Sequence, residues 1–386
     1  MPPPAPERKP KGPWYFPGSY WFPVAAAYAA VVLPWSVLGQ LGLVPAPAGW
    51  HGGLGHAHEM LFGFALAVVA GYALPPGKGH GAVLLLPTWL AARVAFALAP
   101  ASAVAWALSG LFVVGLAWLI APTYLRASKW SNRSVAFIVM GLALAAVVFH
   151  ALDRARRLQD MHVITLAAVL LLSMLMFFMG GRILAPAVAG HVRARGEPPL
   201  KHVVQPRLEG VVLGLLAAGI VCALLPWPLA RRVAGALLLC CVPLGLLRMA
   251  RWRCWLCRDE ADLVALLAGY GWLFVGWLLT GWALLTGTSP THALHAITVG
   301  ALGTLTFSVS LRTQMFRATN DPNRQPWAYA GALLPGTAAL LRITAASAGQ
   351  LVAASACWSA AYALLFVVLV RLWWRKYGPP GRAPKK

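Results

Sequence analysis

Long apolar segments, separated by short stretches rich in proline, glycine and basic residues, follow one another along almost the whole chain. A membrane-spanning helix needs about 20 predominantly apolar residues to cross a hydrocarbon core about 30 Å thick. The pattern therefore predicts an all-α, polytopic membrane protein, a helical bundle with about twelve transmembrane helices. The predicted spans cover residues 21–43, 57–75, 82–99, 101–121, 134–152, 161–184, 209–226, 229–249, 261–286, 291–311, 326–343 and 348–372.

Two of these spans have weak boundaries. Segment 82–99 meets 101–121 across Pro100 with almost no loop, and Pro335 and Gly336 interrupt the span at 326–343. Membrane helices tolerate proline and glycine because neighbouring helices can satisfy the freed backbone groups.

The chain between the spans leaves no room for a soluble domain. We expect a single transmembrane domain at 21–373, preceded by a proline-rich, disordered cytoplasmic arm at 1–20. A basic cytoplasmic tail at 374–386 follows it. No internal repeat is strong enough to predict an inverted-repeat transporter.

Composition agrees with a membrane protein and excludes a soluble one. Of the 386 residues, 60% are hydrophobic and 11% are charged, whereas soluble domains carry about 25% charged residues. The formal net charge of +22 would indicate nucleic-acid binding in a soluble protein.

The positions of the basic residues give another explanation. Alternating the predicted spans assigns 25 of the 32 basic residues to the side that holds both termini, six to the opposite side, and Arg93 to a span. Cytoplasmic loops are enriched in lysine and arginine. We therefore expect a multi-pass protein of the bacterial inner membrane with both termini cytoplasmic, in contact with lipid and not with nucleic acid.

The same topology places seven of the ten histidines at the outer face. They are His51, His56, His58, His150, His162, His292 and His295. Each alone would be read as a solvated interfacial residue, but together they predict a histidine-rich cofactor site, since imidazole is the commonest metal and haem ligand. No CxxCH sequence occurs, so the candidates are a noncovalent b-type haem, copper, or both. His292 and His295 share one face if the tenth helix has already begun.

Other polar residues have two interpretations each. Glu59 and Arg93 form either a buried structural ion pair, or a proton route and an anchor for haem propionates. Arg182 and Arg312 lie at the inner ends of their spans, and the expected excess of basic residues on the cytoplasmic side explains their presence.

Cysteines give little support for a further metal site. Cys254 and Cys257 supply at most half of a zinc site, so we interpret them as reduced thiols.

Four stretches resemble the NnrS family of haem- and copper-containing membrane proteins linked to nitric oxide. They are HAHEMLFGFALAVVAGYAL from His56, VVFHAL around His150, GGRILAP from Gly180, and HAITVGALGTLTFSVSLR from His295. Two departures mark a divergent member. The chain has PPGKGHG where the family has an Asn-Trp-Thr-Gly stretch, and MFRATND where the family has Gly-His-Thr-Gly-Arg. The histidine missing from the second stretch would lie on the inner side.

The resemblance implies haem and copper binding and protection against nitrosative stress. It carries over His56, His58, Glu59, His150, Arg182, His295 and Arg312 as site residues. His162 and His292 are candidate metal ligands on the topology argument alone, and His51 has the least support.

The leading hypothesis is an inner-membrane haem and copper protein that binds nitric oxide at an outer-half site. In its catalytic version the protein reduces nitric oxide with electrons from a quinol, and Glu59 accepts or delivers protons. Two alternatives stay open: a haem-based protein that binds or senses nitric oxide without turnover, and a twelve-span secondary transporter.

Overall fold

The computed structural model describes residues 12–77, 79–319 and 327–378. Residues 1–11 of the predicted arm and 379–386 of the predicted tail lie outside this range, and so does the side chain of His80.

The described residues form an all-α bundle of twelve long helices, which confirms the all-α part of the predicted fold class. These helices are α1 (Gly18–Gln40), α2 (Gly52–Ala73), α3 (Gly79–Leu98), α4 (Ala103–Leu125), α5 (Trp130–Arg154), α6 (Leu158–Ala194), α7 (Pro206–Leu224), α8 (Pro228–Arg251), α9 (Ala261–Thr286), α10 (a π-helical turn at Ala296–Ala301 followed by Leu302–Thr319), α11 (Trp327–Ile343) and α12 (Ala348–Tyr377).

Ten of the twelve helices in the described ranges are long and apolar enough to cross a membrane; the other two are α10 and α11. Buried hydroxyl residues such as Thr304, Ser308 and Ser310 lower the hydropathy of α10, and α11 has only 17 residues. The first helix begins at Gly18, and Pro13–Tyr15 form a short 3₁₀ turn before it. The folded bundle therefore extends into the segment predicted as an arm.

Two segments of the bundle are π-helical, at Glu59–Ala65 within α2 and at Ala296–Ala301 at the start of α10. Each lies directly after a predicted ligand, His58 or His295. A π-helical turn breaks the α-helical hydrogen-bond ladder and frequently marks a functional site. In α2 the indole of Trp89 donates to the carbonyl of Gly63 at 3.0 Å, which gives one backbone group of the altered turn a side-chain partner.

Buried aromatic side chains join helices that are distant in sequence. The indole of Trp358 on α12 donates to the carbonyl of Ala29 on α1 at 3.1 Å, so the last helix is fixed against the first. Large apolar side chains such as Leu84, Trp118 and Leu144 point outward. An apolar exterior of this kind is expected where lipid is the solvent.

The helix ends gather at two ends of the bundle. At one end, which we call the histidine end, a common cavity is lined by the ends of α1, α2, α6, α7, α8, α11 and α12 and by the segment between α9 and α10. At the other, which we call the terminal end, Gln314 donates to the carbonyl of Gly18 at 2.7 Å and Lys376 to that of Arg317 at 2.6 Å. The first and last helices thus have their free ends on one side. That this side is cytoplasmic stays a prediction.

Candidate functional site

Two buried histidines meet near the histidine end of the bundle. His58 ends the first α-helical part of α2, and His150 lies in the last two turns of α5. Their Nε2 atoms are 3.1 Å apart, and both side chains are buried. The two nitrogens therefore face each other across a gap from which solvent is excluded.

The partners of Glu59 decide the protonation of His58. The Oε1 atom of Glu59 lies 2.8 Å from Nδ1 of His58, and the carboxylate also accepts from Arg93 and from the hydroxyl of Tyr28. A carboxylate paired with a guanidinium has no proton to donate, so Nδ1 of His58 carries the proton. Nε2 of His58 then presents a lone pair to His150.

His150 completes the pair in one of two ways. Its Nδ1 atom is buried and meets no hydrogen-bond partner among the described residues. Either Nε2–H of His150 donates to Nε2 of His58, which the separation of 3.1 Å fits, or the two rings move apart and both Nε2 lone pairs bind a cation at about 2.0 Å. The second arrangement repeats the carboxylate–histidine–metal order in which an outer carboxylate fixes the ligand tautomer.

Aromatic rings enclose the pair. Phe96 stacks on the imidazole of His58 with ring centroids 3.8 Å apart, and Phe62 and Phe149 approach the same ring at 5.5 and 5.4 Å. Trp106 covers His150 at 6.2 Å. This packing leaves no room for a macrocycle at the pair.

A separate cavity of about 700 Å³ opens at the histidine end. Three histidines on different helices line it, His56 on α2, His162 on α6 and His295 on α10, together with Arg231 and Arg342. Cofactor and ligand pockets have volumes of about 300–1,000 Å³. The cavity thus has the size, the ligand type and the positive charge that an anionic macrocycle requires.

Two of these histidines have a ring nitrogen available to bind a metal ion. Nδ1 of His295 lies 2.8 Å from the carbonyl of Thr291, so Nδ1 donates and Nε2 keeps its lone pair. Nδ1 of His56 is buried and has no hydrogen-bond partner within the described ranges. Arg342 is close enough to act electrostatically on both imidazoles.

Comparison with known proteins decides the family. The family model described as "NnrS protein" matches residues 19–377, nearly the whole chain. The chain belongs to the NnrS family. Searches of curated proteins and of solved structures found no match. The resemblance seen in the sequence is thereby confirmed, and the chain is a membrane protein related to nitric oxide.

Two further predicted outer histidines of this NnrS protein, His51 and His292, lie outside both arrangements. His292 precedes the first helical residue of α10, so the condition for a shared helix face with His295 is not met; its Nδ1 lies 3.4 Å from Nη1 of Arg342. His51 contacts the carbonyl of Ala46 at 2.8 Å. His162 is exposed at the cavity.

The predicted arginines are divided between the two ends of the bundle. Arg93 pairs with Glu59 and donates to Ser109 at 3.2 Å, and it is not among the residues that line the cavity. Arg182 donates to Asn132 at 2.6 Å, and Arg312 pairs with Asp262, both at the terminal end. The structure does not bring these two to the histidines, and their role in cofactor binding stays a prediction.

Metal-ligand side chains are sparse in this NnrS protein. Within the described ranges no group of three or more histidine, cysteine or acidic side chains is arranged to hold a metal ion. In the loop after α8, burial raises the pKa of the Cys254 thiol to about 12 and that of the Cys257 thiol to about 11. These thiols are protonated at neutral pH, which makes them weak ligands and nucleophiles.

Sequence reasoning missed the cavity arginines and Tyr28. Arg231 and Arg342 are two of the six basic residues that the predicted topology places on the side opposite to the termini. Their position on the side with few basic residues could have identified them. Tyr28 sits in an apolar helix without any local motif, so only the packing of α1 against α2 reveals it.

Proposed function

We propose that this NnrS protein binds copper between His58 and His150, binds b-type haem in the cavity at the histidine end, and uses them to bind nitric oxide. The observation that carries the proposal is the separation of the predicted histidines into two arrangements. One is a compact buried pair, and the other lines a cavity of cofactor size.

Copper suits the buried pair. Imidazole is a favourable copper ligand, and a site with few ligands enclosed by aromatic rings suits a soft monovalent ion better than magnesium or calcium. Glu59 fixes the tautomer of His58, and Arg93 and Tyr28 hold Glu59 in turn. Glu59 is therefore a positioning residue in this account, and its proposed proton transfer is a further role.

Haem suits the cavity. His56 and His295 would supply nitrogen ligands to the iron, while Arg231 and Arg342 would bind the propionates, since guanidinium groups pair with carboxylates in a bidentate manner. His162 is a third candidate ligand at the same wall. When bound, ferrous haem and cuprous copper would supply metal orbitals that accept the lone pair on the nitrogen atom of nitric oxide.

Nitric oxide binding is the primary function that the geometry supports, and reduction is the second candidate. Reduction joins two nitric oxide molecules and consumes two electrons and two protons. The carboxylate of Glu59 already has three partners, on His58, Arg93 and Tyr28. It must break at least one of these contacts to carry a proton.

Secondary transport remains the rival from another class. The observation that favours it is the same cavity, open at one end, between the interrupted helices α2 and α10. Transporters bind substrates at discontinuous helices of this kind.

An absorption spectrum with copper analysis, followed by anaerobic titration with nitric oxide, tests the proposal. We expect a Soret band, copper in stoichiometric amount, and a shift of the band on addition of nitric oxide. Purified protein with neither haem nor copper would refute the proposal and favour transport. Consumption of nitric oxide with a quinol donor would establish reduction, whereas a stable nitrosyl spectrum would establish binding without turnover.

A further inference from the structure

A second cavity lies at the terminal end, far along α1 from the histidines. It has a volume of about 280 Å³ and is lined by residues of α1, α3, α12 and the turn before α1. Trp14, Tyr20 and Trp373 supply aromatic walls, and Ser19 lines it between them. The volume suits one ring and is too small for a macrocycle.

Two buried hydroxyl groups at this cavity have no acceptor for their O–H among the described residues. Ser19 is 2% and Tyr20 is 7% exposed, and neither Ser19 Oγ nor Tyr20 Oη meets a partner in hydrogen-bonding geometry among the described residues. The indole N–H of Trp21 is directed to the oxygen of Tyr20, which leaves the Tyr20 O–H available to donate to a ligand. Burying a hydroxyl without a hydrogen bond is unfavourable, and such groups in native proteins call for an explanation. A ligand with oxygen atoms would satisfy them.

The described lining offers no partner to a charged headgroup. Among the residues that the structure describes, none that lines this cavity is charged; the remaining ones include Pro13, Pro23, Val24 and Leu86. A phosphate group would need a lysine or arginine in contact. The chemistry therefore favours an uncharged ring that carries oxygen atoms and an apolar tail.

A row of aromatic rings connects this cavity with the buried histidine pair. Centroid distances are 6.3 Å from Tyr20 to Trp21, 6.0 Å from Trp21 to Trp89, and 5.1 Å from Trp89 to Tyr28. The hydroxyl of Tyr28 then donates to Glu59, which contacts His58. Neither the fold nor the two histidine sites require these rings to contact one another in this spatial order.

We propose that the cavity at Ser19 and Tyr20 binds the headgroup of a membrane-soluble quinone or quinol. The two hydroxyl groups pair with the ring oxygens, the aromatic walls cover the ring faces, and the apolar tail extends into lipid. Binding stands independently of the proposed function, whereas a role as electron source for the cofactors rests on it. Through the row of aromatic rings, a quinone bound in this cavity would be linked by successive contacts to Glu59, the residue that positions His58.

Isothermal titration of the full-length protein in detergent with a short-chain ubiquinone tests the proposal. Tyr20→Phe keeps the ring and removes only the hydroxyl, and Ser19→Ala removes the second one. Each lost hydrogen bond should weaken binding about three- to tenfold. Val24→Trp should abolish binding by filling the cavity. Tyr329→Phe, the same change on the exposed surface of α11, should bind like the wild type.

Two results would overturn the inference. One is a wild-type dissociation constant in both hydroxyl variants; the other is displacement of the quinone by an equal concentration of phosphatidylcholine, which would show a lipid site. Haem and copper are measured on the same samples. A wild-type protein that carries haem and copper but does not bind the quinone contradicts this inference alone, and a wild-type protein that binds the quinone but lacks haem and copper contradicts the proposed function alone.

Discussion

The Nε2 atoms of His58 and His150 lie 3.1 Å apart although 92 positions separate the two residues along the chain. Helices α2 and α5 meet at this point through the two imidazoles and the phenylalanines around them. His56, only two residues earlier, lines the open cavity instead. A single turn of helix thus supplies one histidine to each of two environments, a dry pair and a solvent-accessible cavity.

Removal of Arg93 should destabilise the protein more than removal of both members of its ion pair. Arg93→Met leaves the carboxylate of Glu59 buried without a cation, which costs about 3–5 kcal/mol. Adding Glu59→Gln should recover much of this loss. Circular dichroism during heating in detergent measures it, with the exposed Arg126→Met as control. An Arg93→Met protein as stable as the wild type would show that the ion pair is not essential to the fold.

The cavity arginines should control haem retention. Arg231→Ala or Arg342→Ala removes a charged partner of a propionate, and hydrogen bonds to charged groups contribute about 1.5–3 kcal/mol each. We expect each variant to bind haem about 10- to 100-fold more weakly, measured by transfer of haem to apomyoglobin. Arg232→Ala changes the exposed neighbour, which does not line the cavity, and should behave like the wild type. Equal retention in all three variants would place the propionates elsewhere.

Gly181 should tolerate no side chain because the guanidinium of Arg248 occupies the space of a Cβ atom there. Arg248 is fixed by Glu209 at 3.1 Å and by the hydroxyl of Tyr270 at 3.0 Å, so it cannot easily move. Gly181→Ala should lower the stability by about 1–3 kcal/mol. Gly190→Ala on the same helix meets nothing within 4 Å and should be neutral or stabilising, since alanine favours helix. Thermal unfolding compares the two variants, and equal midpoints would contradict the packing described here.

The histidine end should face the periplasm. In a variant without its six native cysteines, Ser289→Cys at this end should react with a membrane-impermeant maleimide in spheroplasts. Lys201→Cys, in the loop at the terminal end, should react only after the membrane is permeabilised. Both positions are exposed, so accessibility depends on the side of the membrane alone. The opposite pattern would reverse the predicted orientation.

Much of the fold follows from the hydrophobic pattern because lipid imposes helices of a given length. The predicted span at 261–286 agrees with α9 at both ends, and α11 differs from its prediction by one residue. The largest differences are in α6, which runs on to Ala194, and in α10. The extension of α6 at 185–194 contains Pro186, Gly190 and Arg193, and the sequence pattern takes such residues as the end of a span although the helix continues through them.

The site was only partly predictable. Grouping the histidines on one face requires topology alone, and that step located both arrangements. Their division into a buried pair and a cavity depends on which way each ring turns. His56 and His58 lie two residues apart in the α-helical segment Gly52–His58, so their side chains point in different directions, but this spacing does not show which of the two is buried. The partners of Glu59 come from α1 and α3, and a helix-by-helix reading could identify only Arg93.

The most direct test of the two-site account is the amount of haem and copper per protein in three purified variants. His58→Ala should lose copper and keep its Soret band, and His295→Ala should lose or shift the Soret band and keep copper. His202→Ala, exposed in the loop after α6, should retain both. Loss of the same cofactor in the His58 and His295 variants, or full retention in either one, would contradict the assignment of copper to the buried pair and haem to the cavity.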